Sequence, residues 1–378
     1  MRSALFVAAL LPALLALALA ASYRDSAQPT PTPAGGGHGA HGVSPSPTPT
    51  SAHMGHGAPD PTPTPAHAGH TASTGGAHGG PVSAEGVPPA PQDRGAQPLD
   101  YRLEDGVKVF DLTAQAVRWD LLDGVTVTAW TYNGTVPGPM IRVTEGDRVR
   151  VVVRNTLPQA TTIHWHGIDV PNAMDGVPGM TQDPIEPGET FVYEFVAQPA
   201  GTFMYHSHFE SDLQVMIGLY APFIIDPAEP PADPPDVDQV LMLSEWRVVD
   251  GQTFAAMPMA EMEPNYFTIN GKAFPATETI NVKVGERVRL RIMGIGQFVH
   301  PMHLHGVPFR IVATDGHPVP AAAQLTKDTV NVAPGERYDV EFTAARPGQW
   351  MLHCHIPHHI TNDGVEPGGL VLVINVTE

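Results

Sequence analysis

Four His-x-His pairs are the feature of this sequence best suited to chemistry. Because residues i and i+2 of a β-strand point to the same face, each pair can present two imidazoles at one place. Imidazole is a ligand for copper, zinc, iron and nickel. Eight paired histidines are poorly explained as core residues, since each would need its own hydrogen-bond partner. The pairs are His164 with His166, His206 with His208, His303 with His305, and His353 with His355.

The single cysteine adds a second kind of metal ligand. Cys354 lies between His353 and His355, and two further histidines, His300 and His359, flank the same motifs. Two imidazoles and one thiolate are the trigonal ligand set of a blue copper electron-transfer site. An electron reaching the sulfur could pass through the backbone to the neighbouring histidines. Zinc competes for such ligands but has no redox role, so it would leave this arrangement without a use.

The motifs occur in an internal repeat. GDRVR at 146–150 matches GERVR at 285–289 (285 − 146 = 139), and HWHG matches HLHG at the same shift. The later His-x-His pairs match at a shift of 147 (353 − 206 = 147). These shifts place Thr161, Ser207 and Asp212 at the positions equivalent to the blue-site ligands. The repeat therefore predicts two homologous domains, one blue site in the second, and one cluster to which both contribute.

Short runs rich in Val, Ile, Thr, Tyr and Phe must position these motifs. They alternate with Pro-Gly and Asn-Gly turns from about residue 99, and no long stretch has a helical period. This pattern is typical of all-β sandwiches or barrels. We place the first domain at 99–227 and the second at 239–378, separated by the Pro- and Asp-rich stretch PAEPPADPPDVD.

The first 98 residues differ in composition from the rest. Arg2, an uncharged apolar run and Ala-Leu-Ala at 18–20 predict a signal peptide over 1–21, hence export to the periplasm or beyond and no membrane span in the mature protein. Residues 22–98 are rich in Pro, Gly, Thr and Ala, which predicts disorder. This segment is either a copper-collecting tail or a flexible spacer, and its histidines are His38, His41, His53, His56, His67, His70 and His78.

Overall composition excludes some partners. The formal net charge is −19, which does not suit binding to a polyanion, so nucleic acid is not an expected partner. A single cysteine in an exported chain cannot form an internal disulfide, so Cys354 needs another role.

At the four histidine motifs the sequence resembles the multicopper oxidases, a family that includes the laccases. The resemblance covers about residues 99–378 and implies two tandem cupredoxin-like Greek-key β-sandwich domains. It implies four coppers: one of type 1, one of type 2 and two of type 3. Among the multicopper oxidases, the sequence resembles the two-domain laccases. That resemblance implies a homotrimer with each three-copper cluster between subunits. The implied ligands are His300, Cys354 and His359 for type 1, His164 and His303 for type 2, and His166, His206, His208, His305, His353 and His355 for type 3.

Two positions near these motifs bear on the type 1 site and on oxygen reduction. The family often has a weak axial Met ten residues after the cysteine, but here that position is Gly364, and counting back from Gly369 gives Pro367. We therefore expect a type 1 site without a Met ligand and with a raised potential. Asp175 lies nine residues after His166, where an acidic residue assists O–O cleavage in relatives. It is equally well explained as an Asp-Gly turn residue.

The expected function is coupling of one-electron oxidation of a donor to four-electron reduction of O₂ to water. Phenols and aromatic amines are the expected donors. A cuprous oxidase is the alternative, since thioethers favour Cu(I) and Met257, Met259 and Met262 form a cluster; packing explains that cluster equally simply.

Copper nitrite reductase is disfavoured because Ser207 replaces the cysteine in the first domain. A non-catalytic copper store would need no cysteine between ligands. His317 and His358 have no assigned role.

Overall fold

The computed structural model of the chain describes residues 79–378. The expected signal peptide at 1–21, residues 22–78 of the expected disordered segment and its seven histidines lie outside the described residues. In the described part, no helix is long and apolar enough to cross a bilayer. Regular structure there is almost entirely β, which confirms the all-β prediction.

The first domain is a sandwich of two sheets. One sheet contains β1, β2, β3, β5 and β7, and the other contains β4, β6, β8 and β9. Within the described residues its elements are β1 (Arg102–Glu104), β2 (Val107–Leu122), β3 (Val125–Tyr132), β4 (Ile141–Thr144), β5 (Arg148–Asn155), β6 (His164–His166), a 3-10 turn (Asn172–Met174), β7 (Thr190–Val196), β8 (Gly201–His206), α1 (Ser211–Gln214) and β9 (Tyr220–Asp226).

The second domain is also a sandwich. One sheet contains β10, β11, β12, β14, β16, β17, β18 and β20, and the other contains β13, β15, β19, β21 and β22. Its elements in the same described range are β10 (Val237–Val249), β11 (Gln252–Phe254), β12 (Tyr266–Ile269), β13 (Ile280–Lys283), β14 (Arg287–Gly294), β15 (His300–Leu304), β16 (Phe309–Thr314), β17 (His317–Pro318), a 3-10 turn (Ala321–Ala323), β18 (Thr326–Lys327), β19 (Thr329–Val332), β20 (Arg337–Thr343), β21 (Gly348–Cys354), a 3-10 turn (Pro357–Ile360) and β22 (Val371–Thr377).

The sequence repeat is a repeat of topology. In the first domain β2 runs parallel to β5 and β4 parallel to β9; in the second, β10 runs parallel to β14 and β13 parallel to β22. Alternation explains the strands: Val149, Val151 and Val153 on β5 are buried, whereas Arg148 and Arg154 are exposed. The buried face packs on the second sheet of the sandwich, as the two-residue period of a strand requires.

The two domains are joined by buried contacts. Trp246 and Met293 of the second domain belong to the apolar core of the first. A buried polar cluster adds to this: Arg291 Nη1 donates to Thr202 Oγ1 at 2.6 Å, and Thr202 Oγ1 donates to Asp339 Oδ1 at 2.8 Å. Because buried polar groups are stable only when they are paired, this cluster fixes how the domains meet.

Part of the segment expected to be disordered lies along the fold. The backbone nitrogen of Val82 donates to the oxygen of Thr253, that of Ala90 to Arg118, and that of Ala96 to Pro137. Gly95 is buried against the backbone of Val136. Ordered structure therefore begins before residue 99. Composition misplaced this boundary because these contacts are made by backbone atoms, which a Pro- and Gly-rich segment retains.

Candidate metal centres

The first group of possible ligands is a buried triad. His300 and Cys354 are 0% exposed and His359 is 2% exposed. His359 Nδ1 lies 3.1 Å from His300 Nδ1 and 3.5 Å from Cys354 Sγ. One donor atom of each residue lies within 4.8 Å of the others, so a single ion could contact all three. The structure thus brings together the three residues that the sequence predicted for the blue site.

Adjacent strands place this triad. His300 begins β15, Cys354 ends β21, and these strands pair antiparallel with Met302 opposite Cys354. His359 comes from the 3-10 turn Pro357–Ile360, which follows β21 directly. Phe267 stacks on the His359 ring at a centroid distance of 4.2 Å.

His359 is ready to bind a cationic metal, whereas Cys354 must first lose its thiol proton. Burial lowers the pKa of His359 to about 3, with a further contribution from neighbouring His300. Burial raises the pKa of the Cys354 thiol to about 11. The imidazole is therefore neutral at pH 7, and the thiol proton must be displaced by a cation, since the thiolate is the metal ligand. A buried imidazole–thiolate donor set of this kind fits copper.

The second group lies in the first domain. β6 pairs with β8 so that His164 lies directly opposite His206. His166 Nδ1 is 3.3 Å from His206 Nε2, and both residues group with His164 within 4.8 Å. The ring of His208 lies 5.6 Å from that of His164. All four predicted imidazoles of this domain therefore face one location.

The third group repeats this geometry in the second domain. β15 pairs with β21 so that His303 lies opposite His353. His305 Nε2 is 3.0 Å from His353 Nε2, and the ring of His355 is 5.7 Å from that of His303. The equivalent residues of the two repeats therefore occupy equivalent places.

Backbone carbonyls orient four of these rings. In each case the ring's Nδ1 lies within 3.0 Å of a carbonyl oxygen, which leaves Nε2 directed away from it and available to a metal. Burial lowers the pKa of His166 to about 4 and of His206 to about 3, and it lowers the pKa of His305 and His353. The rings and their acceptors are His164 with Asp175, His206 with Ser207, His303 with Asp328, and His353 with Cys354.

Asp175 lies beside the first-domain group. Its carbonyl oxygen is 2.9 Å from His164 Nδ1, and its carboxylate Oδ1 is 3.3 Å from the same nitrogen. It also ends the 3-10 turn Asn172–Met174. Both interpretations of the sequence, a proton donor near the cluster and a turn residue, are compatible with this place.

The two positions considered for an axial ligand lie in the surface segment after the last 3-10 turn. Both Gly364 and Pro367 are exposed. Gly364 has φ +78° and therefore adopts a left-handed turn rather than presenting a side chain. The expectation of a type 1 site without a thioether stays a prediction.

The first domain has a polar network where the second has its triad. Thr161, Ser207 and Gln214 are fully buried. Gln214 Oε1 accepts hydrogen bonds from Thr161 Oγ1 at 2.8 Å and from Ser207 Oγ at 2.6 Å. The mapping of Asp212 onto His359 was wrong in one respect: Asp212 is exposed, and Gln214 fills the buried position. The four-residue helix α1 replaces the 3-10 turn and changes the local register.

Sequence patterns missed one residue at the triad. Glu245 on β10 is 0% exposed, and its Oε1 lies 2.6 Å from His300 Nε2. The only signal was a lone acid next to Ser244 in a run, Leu241 to Trp246, whose other members are apolar. Of the unassigned histidines, exposed His358 packs edge-on against His359 at a centroid distance of 4.4 Å, and exposed His317 lies on β17.

Comparison with known proteins points to one family. Models of multicopper oxidase domains match residues 113–230 and 246–365. The crystal structure of the blue copper oxidase from Nitrosomonas europaea is 39% identical with a TM-score of 0.66, over 71% of this chain and 85% of that one.

Curated relatives are longer. Copper resistance protein A of Pseudomonas syringae pv. tomato is 33% identical over 56% of this chain and 42% of its own length. Laccase-1 of Cryptococcus neoformans var. grubii is 34% identical over 73% of this chain and 50% of its own length. The chain thus spans about half the length of these relatives or less.

Proposed function

Because the chain belongs to the multicopper oxidase family, we propose that it couples one-electron oxidation of a donor to the four-electron reduction of O₂ to water. The observation that carries this proposal is the buried His300–Cys354–His359 triad. Its cysteine is the chain neighbour of His353 and His355, which belong to the second-domain histidine group. An electron acceptor and a multinuclear site are thereby covalently connected.

Copper is the cofactor of this family, and the donor sets of this chain fit it. The triad would hold type 1 copper, and the two histidine groups would hold the type 2 ion and the type 3 pair. When bound, the four copper ions supply one-electron transfer and storage for the four electrons that O₂ requires. The chain holds neutral imidazoles towards these places and excludes water from the triad, since burial both lowers the histidine pKa values and closes the site.

A second copy of the chain would complete the histidine cluster. Among the described residues, each possible metal group draws its members from a single domain. A cavity of about 480 Å³ is lined by the first-domain histidines and by Gly296, Pro334 and Gly335 of the second domain, but by none of the second-domain histidines. A cluster that needs both groups is thus incomplete in one chain, which supports the proposed homotrimer with sites between subunits.

Phenols and aromatic amines are the proposed donors, and Cu(I) is the second candidate. The methionine cluster gives Cu(I) limited support. Met257 is 8% exposed and packs with Met216 and partly buried Met262, whereas Met259 is 58% exposed. Two of the three thioethers therefore act as packing, and one is accessible as a soft ligand. The similarity to a copper resistance protein is the further reason to retain Cu(I).

Two other functions are less well supported. A nitrite reductase with its blue site in the first domain is disfavoured because Ser207, at the position of the cysteine, supplies no thiolate and is hydrogen-bonded to Gln214. A copper store would not need Cys354 to connect the triad to the histidine groups. The apolar N-terminal run supports export as part of the proposal.

Oxygen uptake by the copper-loaded full chain tests the proposal. We expect about four electrons to be consumed per O₂, from either a phenol or Cu(I), because water is the product. Cys354→Ser should abolish uptake with both donors, since the thiolate is lost. Ser207→Ala is the matched control at the equivalent first-domain position and should leave uptake unchanged. Oxygen uptake that persists in Cys354→Ser would contradict the proposal.

A further inference from the structure

Glu245 is a buried acid that faces a histidine rather than Lys or Arg. Its side chain is 0% exposed, and in the described part of the chain it forms no ion pair with Lys or Arg. Its Oε1 lies 2.6 Å from His300 Nε2, and its Oε2 accepts the backbone N–H of Gln297 at 3.1 Å. Burying a carboxylate is costly unless hydrogen bonds and opposite charge compensate it. The place of this acid therefore calls for a specific explanation.

The His300 ring has two distinct edges. Nδ1 faces the triad, 3.1 Å from His359 Nδ1, and Nε2 faces Glu245. A metal bound at the triad needs the Nδ1 lone pair, so the ring proton must be on Nε2. Nε2–H then donates to Glu245 Oε1, while Oε2 accepts the backbone N–H of Gln297, so both carboxylate oxygens act as acceptors.

The surrounding loop is shaped around this carboxylate. A Cβ on Gly296 would overlap Glu245 Oε2, although the backbone at Gly296 is not left-handed. Glycine is therefore needed at position 296 because a side chain would not fit beside Glu245, not because the backbone there requires glycine. With the N–H of Gln297, it encloses the carboxylate on the side away from His300.

We propose that Glu245 is a positioning residue for the electron-accepting metal: it directs His300 Nδ1 towards the copper, and its negative charge favours Cu(II) over Cu(I). The inference rests on the proposed function, since it assumes type 1 copper in the triad. A fixed negative charge near the metal lowers the reduction potential, which opposes the increase expected from the missing axial thioether. The reduction potential of this copper site thus depends on the ligand residues and on Glu245, which lies on β10, 55 residues before His300 in the chain.

The experiment compares two Glu→Gln variants of the copper-loaded full chain. In Glu245→Gln the amide oxygen can still accept from His300, but the charge is gone. We expect the ratio of Cu(II) to Cu(I) affinity at the blue site to fall at least tenfold, an increase in potential of about 59 mV. Glu341→Gln is the matched control, because Glu341 is 7% exposed but pairs with Arg289. An unchanged or lower potential in Glu245→Gln, or an equal increase in Glu341→Gln, overturns the proposal.

A measurement on the unaltered protein covers the case in which Glu245→Gln fails to fold. In the Cu(I)-loaded chain with ¹⁵N-labelled histidine, NMR should show His300 coordinated through Nδ1, with an exchange-protected proton on Nε2. Coordination through Nε2 or a rapidly exchanging proton would overturn the inference. Absence of blue absorption from the copper-loaded, oxidised protein would instead refute the proposed function, so the two failures are distinguishable.

Discussion

Neighbouring side chains pack against the two histidines of the triad and limit how they can be approached. Glu245 occupies the outer edge of His300, and Phe267 covers one face of His359. His358 is the exposed ring packed against His359. A donor that reaches the triad from solvent on this side would therefore meet His358 first.

Replacing His358 by Ala should weaken the use of donors without altering the metal site. We expect kcat/KM for a phenol to fall about tenfold, equivalent to about 1.4 kcal/mol, because donor contact is lost while the ligands remain. Steady-state oxygen uptake and the blue absorption measure the two effects. His317→Ala, on exposed β17, is the control. Loss of the absorption, or equal effects of both variants, would count against this role.

The proton-donor role of Asp175, the alternative to a turn role, would concern oxygen rather than the donor. Asp175→Asn should slow reoxidation of the reduced protein at least about tenfold, because general acid catalysis is removed while copper stays bound. Stopped-flow reoxidation by O₂ and metal analysis measure these separately. Asp183→Asn tests an exposed acid in the same loop. Unchanged reoxidation in Asp175→Asn would leave this residue with a turn role only.

At the scale of elements, the paired strands β6–β8 and β15–β21 bring the histidines together. Period-two alternation predicts that the two histidines of each His-x-His pair share a strand face, and the repeat maps His164 onto His303 and His206 onto His353. The structure adds the strand pairing that places His164 opposite His206 and His303 opposite His353. Such strands bury imidazoles that must stay neutral, and this has a consequence for stability.

The metal-free protein should lose stability in mild acid. Burial lowers the pKa of His206 and His359 to about 3, from about 6.5 when unfolded, so below pH 6.5 the unfolded chain binds more protons. The free energy of unfolding should be highest above pH 6.5, where neither state binds these protons. It should fall towards pH 4 by up to about 1.4 kcal/mol per pH unit for each histidine. Urea denaturation from pH 8 to pH 4.5 measures this. His359→Asn should weaken the dependence; a free energy that rises on acidification would contradict it.

Contacts between distant elements could not be predicted from sequence. Glu245 and His300 are 55 residues apart and lie on different sheets of the second domain, so no local period relates them. Gln214 replaces Asp212 at the buried first-domain position because α1 changes the register. Patterns identify which side chains share a strand face, but tertiary packing decides what lies beyond that face.

At the scale of the whole molecule, the described residues contain one histidine group in each domain, and the proposed function makes these the two halves of a shared cluster. Among the described residues, the first-domain group His164–His166–His206 and the second-domain group His303–His305–His353 are separate sets. In the proposed homotrimer, each half meets the opposite half of another copy.

Complementation between inactive variants tests this arrangement. His206→Ala disables the first-domain half and His305→Ala disables the second, so each variant alone should be inactive. In co-expressed mixtures, about a quarter of the interfaces between copies would combine two intact halves, and activity should return in that proportion. Sedimentation should show a trimer. Mixtures that remain inactive while assembling would indicate that both halves of a cluster come from one chain.

The central claim, that a buried thiolate between two imidazole ligands connects an electron-accepting copper to an oxygen-reducing cluster, is tested by one spectrum. Copper-loaded protein should show intense blue thiolate-to-copper absorption, which a reductant bleaches under nitrogen and O₂ restores. Cys354→Ser should lack the band. If fully metallated, oxidised protein shows no such absorption, or if O₂ fails to restore it, the account is contradicted.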